Sequence, residues 1–286
     1  MGCVFCATGQ MGFSRQLTAD EIFEQAQKFN TELKSGKKEP CTGRRTTDNT
    51  GDRLSNVVMM GMGEPLANYD NVLAAIRRMN SELGIGARHI TISTVGLAPR
   101  IRKLADENLQ VGLAVSLHQA NDQSRSKLMP VNKRYPIPEL LESIRYYTKK
   151  TNRRVSFEWA LIRNETDTSE VANELGKLLQ GMLCHVNVIP LNPTAGFGGR
   201  PTPKAGVDEF IRILKSYGIA ATPRTRRGID IDAGCGQLSA ELKMAKTKRG
   251  MEKTQMVRMQ GAGDISEQYD NDATTKIISS HEIITN

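Results

Sequence analysis

Hydrophobic residues recur with two different periods along most of the chain. Thr18 and Glu21 stand at the spacing of a capping box, and apolar residues follow at helical intervals from Ile22 to Leu33. The run Asn56–Met60 is instead short, apolar and rich in β-branched valine, which is typical of a buried strand. After its first residues, the chain is therefore predicted to form a helix and then a strand.

From this strand onward, strand and helix periods alternate. Further strands are predicted at 89–93, 110–115, 154–161, 186–190 and near 220, and helices at 72–83, 99–107, 138–149, 168–179 and 206–217. Strands joined by helices favour a parallel sheet, because each helix crosses the sheet to start the next parallel strand. The sequence thus predicts an α/β fold with an open or barrel-like sheet, and with ligands at the carboxyl ends of the strands.

Two polar stretches depart from this pattern. Between about 35 and 54 the chain is basic, contains glycine and proline, and has no hydrophobic period, which predicts an exposed insertion. From 244 to 286 it is polar without a clear period, which predicts a disordered tail. We therefore expect one core domain at 1–243 with the insertion inside it.

The charge balance narrows the choice of partners. The 286 residues include 39 Lys and Arg against 31 Asp and Glu, a formal net charge of +8. This surplus favours a polyanion such as RNA, although many soluble proteins carry a similar surplus as a solvated positive face. No apolar run approaches the ~18 to 20 residues of a spanning helix, and no signal peptide is visible. We expect a cytoplasmic monomer without a membrane partner, or an organellar protein if the source is eukaryotic.

The close pair Cys3 and Cys6 is the first candidate for chemistry. Five cysteines, an odd number in a chain of this length, argue against a disulfide framework. Two thiols separated by two residues can reach one metal, and thiolates select zinc or iron–sulfur clusters. Two ligands do not complete a site, so half of a zinc site and an incidental pair stay open as interpretations.

The segment Met60–Pro65 follows the first predicted strand and therefore lies at its carboxyl end. Its glycines let the backbone approach a ligand, and Glu64 can accept hydrogen bonds from an ammonium group. An ordinary strand-to-helix turn is the alternative. Gly-Glu-Pro after a hydrophobic strand and downstream of a cysteine pair is nevertheless uncommon by chance.

Cys235 has a different setting from the other single cysteines. It lies between two glycines in Asp-Ala-Gly-Cys-Gly-Gln, which suits a flexible loop that brings a thiolate to an activated methyl group. Cys41, in the polar insertion, and Cys184, which leads into a strand, are predicted to be structural or incidental. Basic residues that precede the Cys235 loop are candidates for phosphate contacts, namely Arg224, Arg226 and Arg227.

These segments together resemble the RlmN/Cfr family of radical S-adenosylmethionine (SAM) RNA methyltransferases. The resemblance runs from Cys3 to about Leu238 and is specific as a set of motifs. It implies a radical SAM partial (βα)6 barrel, related to the TIM barrel, and the family's N-terminal accessory domain is absent from this sequence. The matching segments are Gly2–Cys6, Val57–Leu66, Thr91–Thr94, Ser116–His118, Asn187–Pro193 and Asp230–Leu238.

The resemblance implies two cofactors, a [4Fe-4S] cluster and SAM. In the family a CxxxCxxC motif binds three irons, and the fourth iron binds the amino and carboxyl groups of SAM. Cys3 and Cys6 match the last two cysteines, and the first would stand four residues before Cys3, outside this sequence. The residues implied to line the SAM pocket are Gly63, Glu64, Ser93, Ser116, Leu117, His118 and Asn192.

Each of these pocket residues also has a structural interpretation. The two serines could cap the helices that follow them, Asn192 could serve as a turn residue before Pro193, and His118 could be a satisfied histidine at the rim. The set as a whole favours the cofactor pocket, because all of its members fall at or just after predicted strand ends.

The reaction that the resemblance implies is methylation of carbon 2 of an adenine in 23S-type large-subunit ribosomal RNA, and whether transfer RNA is also a substrate stays open. Carbon 2 is electron-poor and has no lone pair to attack a methyl sulfonium, so a radical route is needed. Cys235 is the implied methyl-carrying residue. The family's resolving cysteine and proton-accepting glutamate would lie upstream of the cluster motif, outside this sequence. The implied protein partner is an electron donor such as flavodoxin or ferredoxin.

Three other interpretations stay open. Cfr-type enzymes use the same machinery on carbon 8 of adenine, and the motifs do not separate the two cleanly. A non-catalytic, zinc-bearing RNA-binding protein would use Cys3 and Cys6 with a partner's ligands, and Glu64 and Cys235 would then be dispensable. A catalytically incomplete chain could bind SAM or RNA without cleaving the cofactor.

Overall fold

The computed structural model describes residues 1–10, 12–35, 53–60, 62–191 and 197–224, so the predicted insertion and tail lie largely outside the described residues. Among the described helices, none combines the length and the apolar character needed to cross a membrane. The strands are β1 (Val57–Met59), β2 (Ile90–Thr94), β3 (Gly112–Ser116), β4 (Val155–Leu161), β5 (Cys184–Pro190) and β6 (Ala220–Pro223). The helices are α1 (Ala7–Gln10), α2 (Ala19–Lys34), α3 (Tyr69–Leu83), α4 (Ala98–Asp106), α5 (Asp122–Leu128), α6 (Ile137–Thr151), α7 (Ser169–Leu179) and α8 (Lys204–Ser216).

Local sequence determines where several helices begin and end. Helix α2 begins after Thr18, whose Oγ1 accepts a hydrogen bond from the backbone N–H of Glu21 at 3.2 Å. The Glu21 carboxylate accepts one from the N–H of Thr18 at 2.9 Å in return, which confirms the predicted capping box. Helix α3 ends at Leu83 and is capped by Gly84, where φ is +68°, a left-handed conformation that glycine adopts without strain.

The strands form one parallel sheet, and their order decides between the two predicted architectures. The described sheet has six strands in the order β1-β2-β3-β4-β5-β6. Each strand pairs in parallel with the next strand of the chain. A doubly wound sheet reverses its strand order once, whereas a barrel adds its strands in sequence. The sheet is therefore of the partial-barrel type.

The main hydrophobic core lies between the sheet and its covering helices. Ile92, Val115 and Trp159 on the strands are fully buried there, as are Ile76 and Leu140 on the helices. Burial of one large aliphatic side chain contributes roughly 1.5–3 kcal/mol. A second, smaller apolar cluster lies beside the N-terminal cysteines, and its buried members are Cys3, Leu128, Met129, Ile162 and Leu191.

Helix α5 is the longest described helix that the hydrophobic pattern does not predict. Its seven residues, Asp122–Leu128, are almost all polar, so no apolar stripe marks it. Asn121 caps its first turn, because the side-chain Oδ1 accepts from the N–H of Ser124 at 2.9 Å. The residues that α5 buries are Leu128 and, unusually, the charged Arg125.

Candidate cofactor site at the carboxyl rim

A cavity of about 180 Å³ opens at the carboxyl ends of the strands. Strands β1 and β5 both contribute to its wall, although three other strands separate them in the sheet. In a flat sheet, four strand spacings would hold them roughly 19 Å apart. The sheet therefore curls around the cavity. Of the residues predicted to bind cofactor or metal, those that line it are Cys3, Cys6, Gly63, Glu64, Ser93, Ser116 and His118.

The cysteine loop is held at the rim by backbone contacts. The N–H of Cys6 donates to the carbonyl of Cys3 at 3.2 Å, and the N–H of Val4 donates to the carbonyl of Leu128 on α5 at 3.1 Å. Gly9 passes so close that a Cβ atom added there would lie 2.8 Å from the Cys3 carbonyl oxygen. The absence of a side chain at Gly9 thus lets α1 pack directly on the loop that carries the two thiols.

The two thiols are suited to a metal but do not complete a metal site. Burial raises the pKa of the Cys3 thiol to about 11, with a further contribution from the neighbouring Cys6. A buried thiol of this kind loses its proton when a metal replaces it. The described residues contain no group of three or more His, Cys, Asp or Glu side chains placed to hold a metal ion. They therefore offer two of the three thiolates that an iron–sulfur cluster of this type needs.

Glu64 lies shortly after β1, and its carboxylate connects the end of β1 to the end of β2 by hydrogen bonds. One carboxylate oxygen accepts from the N–H of Leu66 at 3.0 Å and the other accepts from the N–H of Val95 at 2.8 Å. Gly63, directly before it, has a φ of +89°, which favours glycine. Burial raises the pKa of Glu64 to about 7. The Thr94 side chain also bonds the carboxylate. Two carboxylate oxygens together accept about four hydrogen bonds, so Glu64 keeps acceptor capacity for the predicted ammonium group.

His118 is held in a single protonation state and in a strained backbone conformation. The N–H of Ala160 donates to Nδ1 at 2.9 Å, so Nε2 carries the ring hydrogen. Burial lowers the pKa of His118 to about 3, and the ring is therefore a neutral hydrogen-bond donor. Its φ of +58° is rare for a residue with a side chain. The Phe5 ring packs edge-on against it at 4.9 Å between centroids, which links His118 to the cysteine loop.

The two predicted serines are not helix caps. Ser93 and Ser116 end or nearly end β2 and β3 and line the cavity. The helices that follow are capped at Leu97 and at Asn121 instead. The alternative interpretation of these serines as caps is therefore wrong, and their proposed contact with the cofactor stays a prediction.

Leu117 departs from the predicted set. Its side chain is fully buried in the main core and does not line the cavity. Its N–H donates to the carbonyl of Glu158 at 3.1 Å, and its carbonyl accepts from Arg125 Nε at 3.1 Å. Because side chains alternate along an extended segment, Leu117 faces away from its neighbours Ser116 and His118. The structure therefore does not support a direct cofactor contact for the Leu117 side chain.

Two predicted site residues, Asn192 and Cys235, lie outside the described residues, as does Cys41. Cys184 is the first residue of β5 and is 8% exposed, which agrees with the predicted structural role. Among the predicted phosphate contacts, Arg224 is described. Its Nη1 lies 3.2 Å from the Sδ atom of Met60, so Arg224 reaches from the end of β6 to the end of β1 across the open side of the barrel.

Arg125 is a residue that sequence reasoning did not find. Its guanidinium group is fully buried and donates to the carbonyls of Val95 at 2.7 Å and Ser116 at 3.0 Å. It also donates to Oδ1 of Asn132 at 2.8 Å. Burial lowers the pKa of Arg125 to about 10, so the cation persists at neutral pH. Arg125 thus joins the carboxyl ends of β2 and β3, but a lone arginine in a polar segment gives no sequence signal for this role.

Glu158 was also missed, although the sequence held a signal for it. It is the only charged residue of the strand Val155–Leu161, and it is 3% exposed and lines the cavity. One of its oxygens, Oε1, accepts from Nδ2 of Asn187 at 2.8 Å. A charged residue inside a buried apolar strand usually has a specific partner or a functional role.

The sequential parallel sheet, with a pair of thiols at its carboxyl rim, defines the class of radical SAM proteins. The model of the Radical SAM superfamily matches residues 44–175. SuiB of Streptococcus suis, 14% identical with a TM-score of 0.54, covers 78% of this chain and 46% of that chain and shares the fold alone.

Two more similar relatives indicate which radical SAM proteins this chain belongs to. A radical SAM methyltransferase from Sphaerobacter thermophilus has a TM-score of 0.76 and is 46% identical, covering 84% of this chain and 67% of that one. A protein of Myxococcus xanthus named dual-specificity RNA methyltransferase RlmN 1 is 50% identical over 242 residues, 84% of this chain. The present chain belongs to the RlmN/Cfr family of radical SAM methyltransferases. It spans 64% of the length of the Myxococcus protein.

Proposed function

We propose that this chain is the core of a radical SAM methyltransferase that modifies RNA. The observation that carries the proposal is the single cavity in which two free thiols meet the buried Glu64 and His118. The 50% identity to a protein named as a dual-specificity RNA methyltransferase supports the same class of reaction. Cys3 and Cys6 would hold a [4Fe-4S] cluster together with a third thiolate, and the cavity would bind SAM.

Different residues of the cavity would bind different groups of the cofactor. A bound cluster would supply one electron to the cofactor. Glu64 would accept a hydrogen bond from the cofactor's ammonium group, since its oxygens are fixed by two backbone N–H groups. His118 would donate from Nε2, because Nδ1 is occupied by the N–H of Ala160. The largely apolar wall would exclude water, which protects reactive carbon species.

The finer proposal is that the methyl group passes through Cys235 to carbon 2 of an adenine. Support comes from the match of Asp230–Leu238 to the family's segment around its methyl-carrying cysteine. An electron-poor ring carbon without a lone pair also cannot be methylated by direct displacement. Cfr-type methylation of carbon 8 is the alternative, and the mass and retention time of the modified nucleoside separate the two products.

Large-subunit ribosomal RNA is the proposed substrate, with transfer RNA as the second candidate. The net charge of +8 suits a polyanion. A base whose edge is to be modified has to be unstacked and presented in a pocket, as base-modifying enzymes generally do. We further propose flavodoxin or ferredoxin as the electron donor, a monomeric state and a cytoplasmic location.

The test is an anaerobic methylation assay of the full gene product with SAM, reductant and large-subunit RNA, followed by nucleoside analysis. We expect 2-methyladenosine from the wild type and none from Cys235→Ala. Cys184→Ala is the matched control, because Cys184 lies at the amino end of β5, and it should keep its activity. Zinc in place of iron, or full activity in Cys235→Ala, would instead favour the zinc-bearing RNA-binding protein or another reaction.

A further inference from the structure

Glu158 enters the cavity from the middle of β4. Its Cα is paired with that of Ser116 on β3 and with that of Asn187 on β5. Because residues paired across a sheet present their side chains on the same face, Ser116 and Glu158 form one polar pair on the inner wall. The remainder of that wall is largely apolar, with Ala160 on β4 and Ile189 on β5 nearby.

Within the described part of the chain, only one of the two carboxylate oxygens of Glu158 has a hydrogen-bond partner. Asn187 donates to Oε1 and fixes the side chain, whereas Oε2 is buried without a hydrogen-bond partner among the described residues. Arg224 lowers the pKa of Glu158 from a distance, but among the described residues no cationic group forms an ion pair with Glu158. A buried acceptor left unpaired destabilises the fold. A purely structural role would be filled better by an uncharged side chain, so the free oxygen points to a ligand that donates to it.

The proposed cofactor offers three kinds of donor to this oxygen. Its ammonium group belongs with the cysteines and Glu64 at the rim, under the proposed function. The 6-amino group of adenine lies beside the N1 lone pair, which a carboxylate would repel. The ribose has hydroxyl groups on adjacent carbons, and a carboxylate that accepts from a ribose hydroxyl is a recurrent solution in nucleotide-binding folds. Ser116, paired with Glu158, can bond the second hydroxyl.

We infer that Glu158 binds the adenosyl cofactor by accepting a hydrogen bond from a ribose hydroxyl group through Oε2. Asn187 is the positioning residue, since it holds Oε1 and thereby aims the second oxygen. The inference rests on the proposed function, because it assigns a further ligand in the same cavity. It predicts that the site discriminates ribonucleosides from deoxynucleosides.

The test uses 5′-methylthioadenosine, which carries the adenosyl group without the amino acid and therefore needs no cluster. Its binding to the full gene product is measured by calorimetry beside that of its 2′-deoxy, 3′-deoxy and 6-amino-free analogues. We expect Glu158→Gln to weaken binding of the parent nucleoside about 10-fold or more. The deoxy analogue that lacks the contacted hydroxyl should bind the wild type weakly. Its affinity for Glu158→Gln should be no lower than its affinity for the wild type.

Each other outcome overturns a stated part of the account. Equal losses for the parent and both deoxy analogues, or no loss for any, contradict the ribose contact while leaving an adenosyl site intact. If Glu158→Gln weakens binding of every nucleoside except the 6-amino-free analogue, Glu158 binds the base and the inference is wrong. If the wild type binds none of these nucleosides, the cavity is not an adenosyl site, and the proposed function fails with the inference.

Two controls separate ligand binding from a structural role. Glu165→Gln, an exposed residue in the turn after β4, should leave the affinities and the melting temperature unchanged. Glu158→Gln should melt at the same or a higher temperature than the wild type without ligand, because it removes a buried charge. A lower melting temperature together with uniform loss of all nucleosides would mean that Glu158 only supports the fold.

Discussion

The two ends of the curled sheet differ in the burial of their polar side chains. At the carboxyl end, Cys3, Glu64, His118 and Glu158 are buried around a largely apolar cavity, and burial shifts the pKa of each. At the amino end, a wider cavity of about 500 Å³ is lined by polar and basic residues, among them Arg154. Buried titratable groups with shifted pKa values are typical of functional sites. At the amino end, burial also shifts the pKa of Cys184 and His185, but neither residue lines the cavity there. The comparison thus assigns chemistry to the carboxyl end, where several such groups share one cavity.

The largest effect should come from removing a thiol at the carboxyl end. Cys6→Ala removes one of the three thiolates proposed to hold the cluster, and we expect RNA methylation to fall by roughly 1,000-fold or more, a loss of about 4 kcal/mol or more in transition-state stabilisation. Iron content should fall with it. Arg154→Ala at the amino end is the contrasting variant and should change neither. Equal losses in both variants would remove the functional distinction between the two ends.

Arg125→Met should give the largest loss of stability. The substitution leaves the carbonyls of Val95, Ser116 and Leu117 without their buried donor, which is expected to cost roughly 2–4 kcal/mol of unfolding free energy. Urea denaturation measures this loss of unfolding free energy. Arg77→Met is the matched control, because Arg77 forms an exposed pair with Glu107, and it should change stability by less than about 1 kcal/mol. Similar values for both would mean that Arg125 does not organise the strand ends.

Gly9→Ala should have an intermediate effect confined to the cysteine loop. The added Cβ would lie 2.8 Å from the Cys3 carbonyl oxygen, so the loop or α1 has to shift. Overpacking of this kind typically destabilises by roughly 1–3 kcal/mol. We expect lower iron occupancy after anaerobic reconstitution. Gly198→Ala, where nothing lies within 4 Å, should reconstitute like the wild type, and a shared defect would point to a general effect of the substitution.

Per pH unit, the smallest effect is the pH dependence of stability. His118 binds its proton only near pH 3 when folded, whereas an unfolded histidine binds it near pH 6.5. The unfolded state therefore holds more protons between these values, and the free energy of unfolding should fall as the pH is lowered, by up to about 1.4 kcal/mol per pH unit. His118→Asn should flatten this slope, since asparagine tolerates a positive φ. An unchanged slope would show that His118 is not buried as the neutral form.

Sequence pattern predicted the sheet and much of the rim, because strand periods and caps are local properties. Every predicted strand and helix lies within three residues of its observed bounds. The cavity residue Glu64 follows from its place after a predicted strand, whereas Ser93 follows from the family resemblance. The pair Glu158 and Asn187 could not be predicted, because it depends on the register between β4 and β5. Helix α5 was missed because it buries Arg125 rather than an apolar stripe. The Leu117 side chain lies in the core although both neighbouring residues line the cavity, and strand position alone does not reveal this.

The most direct measurement is the metal content and the electron paramagnetic resonance spectrum of the full gene product, purified and reduced without oxygen. The account predicts about four irons and four sulfides per chain. It also predicts a signal that changes when SAM is added and is lost in Cys6→Ala. Zinc without iron, or a cluster whose signal is the same with and without SAM, would contradict the assignment of the carboxyl rim as the cofactor site.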